Sequence, residues 1–157
     1  MSENSAQTET GATGGCQCGA VRYRINGPLE NAHVCHCRMC QRATGGLFAA
    51  LAGTPKQKIT WLTREPDYYR SSNLARRGFC HQCGTPLTFA FDDPEARIYV
   101  TIGSLGAPAL APVTHQYGIE GKLPFVSFCE ELPQEATGAT PEAAAFFANL
   151  KSNQYTD

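Results

Sequence analysis

The sequence predicts a mainly β fold: a compact antiparallel sheet domain with tight cysteine-bearing turns and a short helix near the C-terminus. Three observations carry this. Short segments alternate apolar and polar residues, and β-branched and aromatic residues concentrate in them. Gly, Pro, Asn and Asp punctuate the gaps between them. Helical patterning is scarce until Thr140.

Taken in order, residues 1–13 are rich in Ser, Thr, Glu and Gly and read as a disordered leader. They have neither the basic start nor the apolar stretch of an export signal. The main domain is expected over residues 14–134. Val21, Tyr23 and Ile25 alternate with Arg22 and Arg24, the pattern of a half-buried strand, and Asn26-Gly27-Pro28 marks a turn. Leu47 to Leu51 is a short apolar run; Ile59 to Leu62 and Asp67 to Arg70 have strand composition. Pro86 to Phe91 alternates, with Leu87, Phe89 and Phe91 expected on one face, and Ile98 to Ile102 is the strongest strand pattern. Gly106 to Pro112 reads as an extended connection and Phe125 to Phe128 as a late strand. Thr140-Pro141-Glu142, followed by Ala143 to Leu150, has an N-cap, a proline at the first position and an acidic first turn. This places a short helix in a C-terminal extension, residues 135–157.

The composition narrows the function classes. Thirteen basic and fourteen acidic residues leave a formal charge of −1, which argues against a nucleic-acid surface. No apolar run approaches the roughly 18 residues that read as a membrane helix. With no export signal a cytoplasmic setting is expected, where thiols stay reduced, so eight cysteines point to metal or catalysis before disulfides.

Seven of those cysteines fall into three clusters: Cys16-Gln17-Cys18, Cys35-His36-Cys37-Arg38-Met39-Cys40, and Cys80-His81-Gln82-Cys83. Two thiolates with two residues between them grip one ion from a tight turn, and the glycine after Cys83 lets the backbone fold back. A thioredoxin-type redox pair needs a βαβ context that the pattern lacks. Neither Cys16 and Cys18 nor Cys80 and Cys83 complete a tetrahedron alone; paired across the fold they make a four-thiolate zinc site. Cys35, Cys37 and Cys40 wrap three sides of a second ion. Its fourth position is open to water, a histidine, Cys129 or an exogenous thiol. A closed structural zinc and an open working zinc is one reading. Two closed structural sites in a non-enzymatic β module that recognises a protein partner is the other, and spacing alone also allows the seven cysteines to be shared between the sites in other pairings.

The motifs resemble a known family. Gly14-Gly15-Cys16-Gln17-Cys18-Gly19-Ala20-Val21-Arg22-Tyr23 is similar to the opening of the glutathione-dependent formaldehyde-activating (CENP-V/GFA) domain. Cys35 to Gly45 and Arg77 to Leu87 resemble its second and third motifs. Gly103-Ser104-Leu105, Pro112 to His115 and Leu132-Pro133-Gln134 resemble its C-terminal signposts. The resemblance implies two Zn2+ per chain. Cys16, Cys18, Cys80 and Cys83 would hold the structural ion, and Cys35, Cys37 and Cys40 the catalytic one. It also implies a carbon–sulfur lyase-type activity, in which a thiol such as glutathione adds to formaldehyde or a related aldehyde. His115-Gln116-Tyr117 and Pro124-Phe125 depart from the family's usual aromatic residues, so a different substrate is compatible with the resemblance.

Among the remaining residues, alternation should turn His36 away from the metal, and His115 is a pocket candidate. His33 and His81 read as surface groups. Arg38, Arg42, Arg76 and Arg77 flank the clusters, where arginine can bind a carboxylate or offset thiolate charge. Thr44-Gly45-Gly46 reads as a turn or as a source of backbone N–H groups for an oxyanion.

Overall fold

Residues 11–127, 136 and 138–149 are described by the computed structural model of the chain. Two sheets enclose a shared core. The smaller has the order β1-β2-β5, built from β1 (Ala12–Gly15), β2 (Arg22–Ile25) and β5 (Ile59–Trp61). The larger adds β3 (Glu30–Cys35), β4 (Ala49–Thr54), β6 (Asp67–Arg70), β7 (Ala75–Phe79), β8 (Pro86–Phe91), β9 (Ile98–Thr101) and β10 (His115–Tyr117). Its seven strands run in the order β10-β3-β4-β9-β8-β7-β6. Every pairing is antiparallel except β10 on β3, which is parallel. The expected mainly β, antiparallel architecture is the observed one.

In β2 the alternation works as expected: Tyr23 and Ile25 are fully buried and their arginine neighbours are not. They meet Ala52, Leu87 and Val100 of the larger sheet in one apolar cluster. Burying large side chains of this kind contributes roughly 1.5–3 kcal/mol each. Tyr23 carries its hydroxyl into this core and satisfies it on the Ser104 hydroxyl at 2.8 Å.

Several details differ from expectation. β1 begins at Ala12, inside the segment read as a leader, and residues 1–10 lie outside the described residues. Leu87 and Phe89 do not share a face: Leu87 joins the inter-sheet core while Phe89 packs against the separate cluster of Cys40, Ala49 and Leu51. The cause is a bulge. Gly78 pairs with Thr88 but Phe79 pairs with Pro86, so the register slips at Leu87. The Gly106–Pro112 connection contains a 3-10 turn, Pro108–Leu110. Phe125–Ser127 form a turn region and no strand, while Phe128 and Cys129 lie outside the described residues.

Two helices complete the described chain. Helix α1 (Arg38–Thr44) grows directly out of the second cysteine motif, and α2 (Pro141–Ala148) is the expected C-terminal helix. Thr140 caps α2 by accepting from the Ala143 N–H. No helix among the described residues is long and apolar enough to cross a membrane.

Candidate metal centres and an adjoining cavity

Two turns of the same design bring the outer cysteines together. In the first, the Gly19 N–H donates to the Cys16 carbonyl and the Val21 N–H donates to the Cys16 Sγ. In the second, the Gly84 N–H donates to the Cys80 carbonyl at 2.7 Å. Gly19 and Gly84 both sit at positive φ, 82° and 78°, where a Cβ would be strained. Each turn thus points two sulfurs the same way. The Gln17 N–H donates to the Thr85 hydroxyl and stitches the two turns together.

The result is a four-sulfur group, Cys16, Cys18, Cys80 and Cys83, whose Sγ atoms all lie within 4.8 Å of one another. Cys16 and Cys18 are 3.5 Å apart at sulfur, and Cys18 and Cys80 are 3.8 Å apart. Tetrahedral zinc with bonds of about 2.3 Å sets its sulfurs about 3.8 Å from each other. The donor set therefore fits zinc in number, type and spacing.

Cys35, Cys37 and Cys40 form a second group within the same limit. Cys35 ends β3, and Cys37 is the N-cap of α1, its Sγ accepting from the Cys40 N–H at 3.4 Å. Cys40 is buried in the first turn of the helix. Gly118, at φ 62°, lies so close that a Cβ there would come within 2.9 Å of the Cys37 nitrogen. A buried Gln41 binds this cover to the motif: its amide donates to the carbonyls of His36 and Gly121. No fourth ligand joins this group among the described residues, and Cys129 is not one of them.

Crowding spreads the acidities of these thiols, because neighbouring thiolates repel one another. Burial, partly opposed by the Cys37 N–H, combines with the Cys40 and Cys37 thiols to push Cys35 up to about 12. At Cys37 burial acts upward too, but the Cys40 N–H and the neighbouring thiols outweigh it and the net shift is down. In the outer group the Ala20 N–H pulls Cys18 down, yet burial and three adjacent thiols carry it up to about 12. At Cys83 burial is outweighed by donors from Thr85 and Cys18, which bring it to about 6. A divalent cation held by either group would remove the conflict, since coordinated thiols are deprotonated together.

Beside the three-sulfur group lies a cavity of about 190 Å3, with Ala43 of α1, Leu51 of β4, and Arg77 and Phe79 of β7 among its walls. The Arg77 guanidinium stands at its junction with the cluster. Its Nη2 donates to the Cys40 Sγ at 3.4 Å and its Nε to the Ser71 hydroxyl at 3.0 Å.

The other flagged residues have structural explanations. His36 is fully buried, bonds the Gln116 side chain at 3.0 Å and packs edge-on against Phe48. His33, expected at the surface, is buried against Tyr99 and Tyr117 with Nδ1 on the Asn31 carbonyl. Its place on β3, covered by the parallel strand β10, explains the difference. His81 is exposed and pairs with Asp67. His115 is exposed, stacks on Tyr117 and does not line the cavity. Arg38 bonds Gln41, and Arg76 lies over the Tyr68 ring. Gly45 spends its N–H on capping α1. What the sequence reasoning lacked was α1, which carries Cys40 and the cavity wall together, and the contact between Arg77 and Cys40.

A β domain with a four-cysteine and a three-cysteine cluster, each able to hold a metal ion, defines a class of cysteine-cluster protein. The chain belongs to the family described as glutathione-dependent formaldehyde-activating enzyme, which it matches over residues 11–120. It is also similar to an uncharacterized lyase of Schizosaccharomyces pombe, 32% identical over 87 residues. That match covers 55% of this chain and 63% of the relative, less than two-thirds of its length. The crystal structure of a Rhodobacter sphaeroides protein shares the fold, with a TM-score of 0.53, 22% identity, and coverage of 67% of this chain and 98% of that one.

Proposed function

We propose that this chain is a zinc-dependent lyase-type enzyme of carbon–sulfur chemistry, joining a small thiol such as glutathione to formaldehyde or a related aldehyde. The observation that carries the reading is the unequal division of the cysteines into a group of four and a group of three. Cys16, Cys18, Cys80 and Cys83 would hold a structural zinc, closed by its own four ligands. Cys35, Cys37 and Cys40 would hold a second zinc with one position for a substrate thiol. Zinc bound there supplies the positive charge that keeps a thiol deprotonated near neutral pH. Family membership and the lyase name of the yeast relative support the class of reaction.

The chain's own residues prepare that site. The Cys40 N–H holds the Cys37 sulfur at the start of α1, and Arg77 donates to the Cys40 sulfur. Gln41 fixes the covering segment over the motif, so the three sulfurs keep one arrangement before a substrate arrives. Seven cysteines outside any disulfide among the described residues suit a reducing compartment, and we place the protein in the cytoplasm.

Exchange NMR on mixtures of glutathione and formaldehyde tests the reading. The zinc-loaded chain should speed interconversion of free thiol and hydroxymethyl adduct well above the spontaneous rate, and Cys40→Ser should remove the effect. Equal rates with and without the wild-type chain would favour the protein-recognition module instead.

A further inference from the structure

We infer that the cavity beside Cys40 is the binding site for the carbonyl substrate, and that Arg77 is the donor that meets the carbonyl oxygen. The inference rests on the thiol–aldehyde reading and adds to it a substrate class: aldehydes carrying an apolar substituent.

Position comes first. Arg77 belongs to both places, bonding the Cys40 sulfur and lining the cavity. Ala43 and Thr44 stand one helical turn beyond Cys40 on α1, so the cavity shares that helix and Arg77 with the cluster, although none of the three cysteines lines it. Size comes next. A volume of about 190 Å3 is several times the ~30 Å3 share of one water. Formaldehyde, with two heavy atoms, leaves most of it unfilled.

The chemistry of the walls then selects the ligand. Ala43, Leu51, Tyr69, Phe79 and Pro86 present mainly carbon. The Thr44 hydroxyl is spent on the Cys40 carbonyl and the Thr101 hydroxyl on the Pro86 carbonyl. Arg77 is the one charged wall residue. Among the described residues it has no carboxylate partner, and its Nη1 has no hydrogen-bond acceptor. Ser71 and the Phe89 ring, 4.8 Å from the guanidinium carbon, hold the fork in place. A ligand with an apolar body and one acceptor oxygen suits the carbon walls and the Arg77 fork, with the Thr88 hydroxyl as a second polar group on the wall.

Addition of a thiolate to such an aldehyde forms the S–C bond and moves the C=O π pair onto oxygen. The oxygen then takes up the proton that the thiol released, giving a hemithioacetal with atoms and charge balanced. Arg77 N–H groups aimed at that oxygen stabilise the charge as it develops.

Benzamide, an unreactive carbonyl with an apolar ring, probes the site by ligand-observed NMR on the zinc-loaded full chain. Wild type should bind it. Ala43→Leu, which narrows the cavity from an exposed helix position, should weaken binding at least tenfold, as should Arg77→Gln, with Arg77→Lys between. Arg77→Gln should also lower kcat about 100-fold while the KM for glutathione and the zinc content stay near wild type. Added guanidinium should restore part of the rate. Absence of benzamide binding, equal binding by all variants, or loss of a zinc from Arg77→Gln would overturn the inference. Glutathione–formaldehyde turnover without benzamide binding removes the carbonyl pocket and leaves the thiol–aldehyde reading intact. Binding without any turnover removes that reading, and with it the role of Arg77 as an oxyanion donor.

Discussion

The sulfurs of Cys18 and Cys80 stand 3.8 Å apart although 62 positions separate them in the chain. A metal held at that point would tie β1 and β2 to β7 and β8, joining the smaller sheet to the larger. Losing a ligand there should cost the fold, whereas losing one from the other group should cost only the site. Cys83→Ser is expected to give unfolded or insoluble protein. Cys40→Ser is expected to stay folded with one zinc fewer. Circular dichroism and metal analysis on both variants check this; identical behaviour would contradict the division into two kinds of site.

Gln41 is the buried clasp of the second group. Gln41→Leu keeps the volume but leaves the carbonyls of His36 and Gly121 without their donor. Stranding buried acceptors costs about 1–3 kcal/mol each, so the variant should melt earlier. Because the clasp covers Cys37, one of the two zincs should also pass faster to a chelator. Unchanged release of both would separate Gln41 from the site.

Tyr23 makes the folded state sensitive to alkali. Burial, eased by the Ser104 hydrogen bond and the nearby Arg22, raises its pKa from 10.0 to about 12. The folded state therefore favours the neutral phenol, and this contribution is whole below pH 10. It is lost as pH rises from 10 through about 12, amounting to about 3 kcal/mol at 1.36 kcal/mol per pKa unit. Urea unfolding of the zinc-loaded protein from pH 9 to 12 should show wild type losing more stability than Tyr23→Phe over that window. The variant should start about 1 kcal/mol lower, for want of the Ser104 bond. Parallel slopes would contradict the assignment.

Much of the site was legible because ligand spacing is local. Cys35, Cys37 and Cys40 lie within one short stretch, and the glycines after Cys18 and Cys83 announce their turns. Strands such as β2 and β9 were legible because each has one dominant buried set. The missed elements depend on distant partners. β1 is Ala-Thr-Gly-Gly, poor strand material, and is held by pairing with β2 and by the bridge from Gly14 to Leu105. Helix α1 lacks an apolar stripe: Met39 faces outward, and Cys40 and Gln41 supply its buried side. β7 carries Arg76 and Arg77, and the second is held by distant partners, Cys40, Ser71 and the Phe89 ring. The bulge at Leu87 cannot be seen in an alternating run, because it is a property of the pairing between β7 and β8.

The central claim is that Cys35, Cys37 and Cys40 hold a zinc with a place for a thiol, while the outer four cysteines hold a closed one. Zinc-edge absorption spectroscopy on the two-zinc protein, before and after glutathione is added, tests it most directly. The account predicts an average of about three and a half sulfurs per zinc, one site of four and one of three, rising to four with glutathione. Four sulfurs per zinc before any thiol is added, with no change afterward, would contradict it.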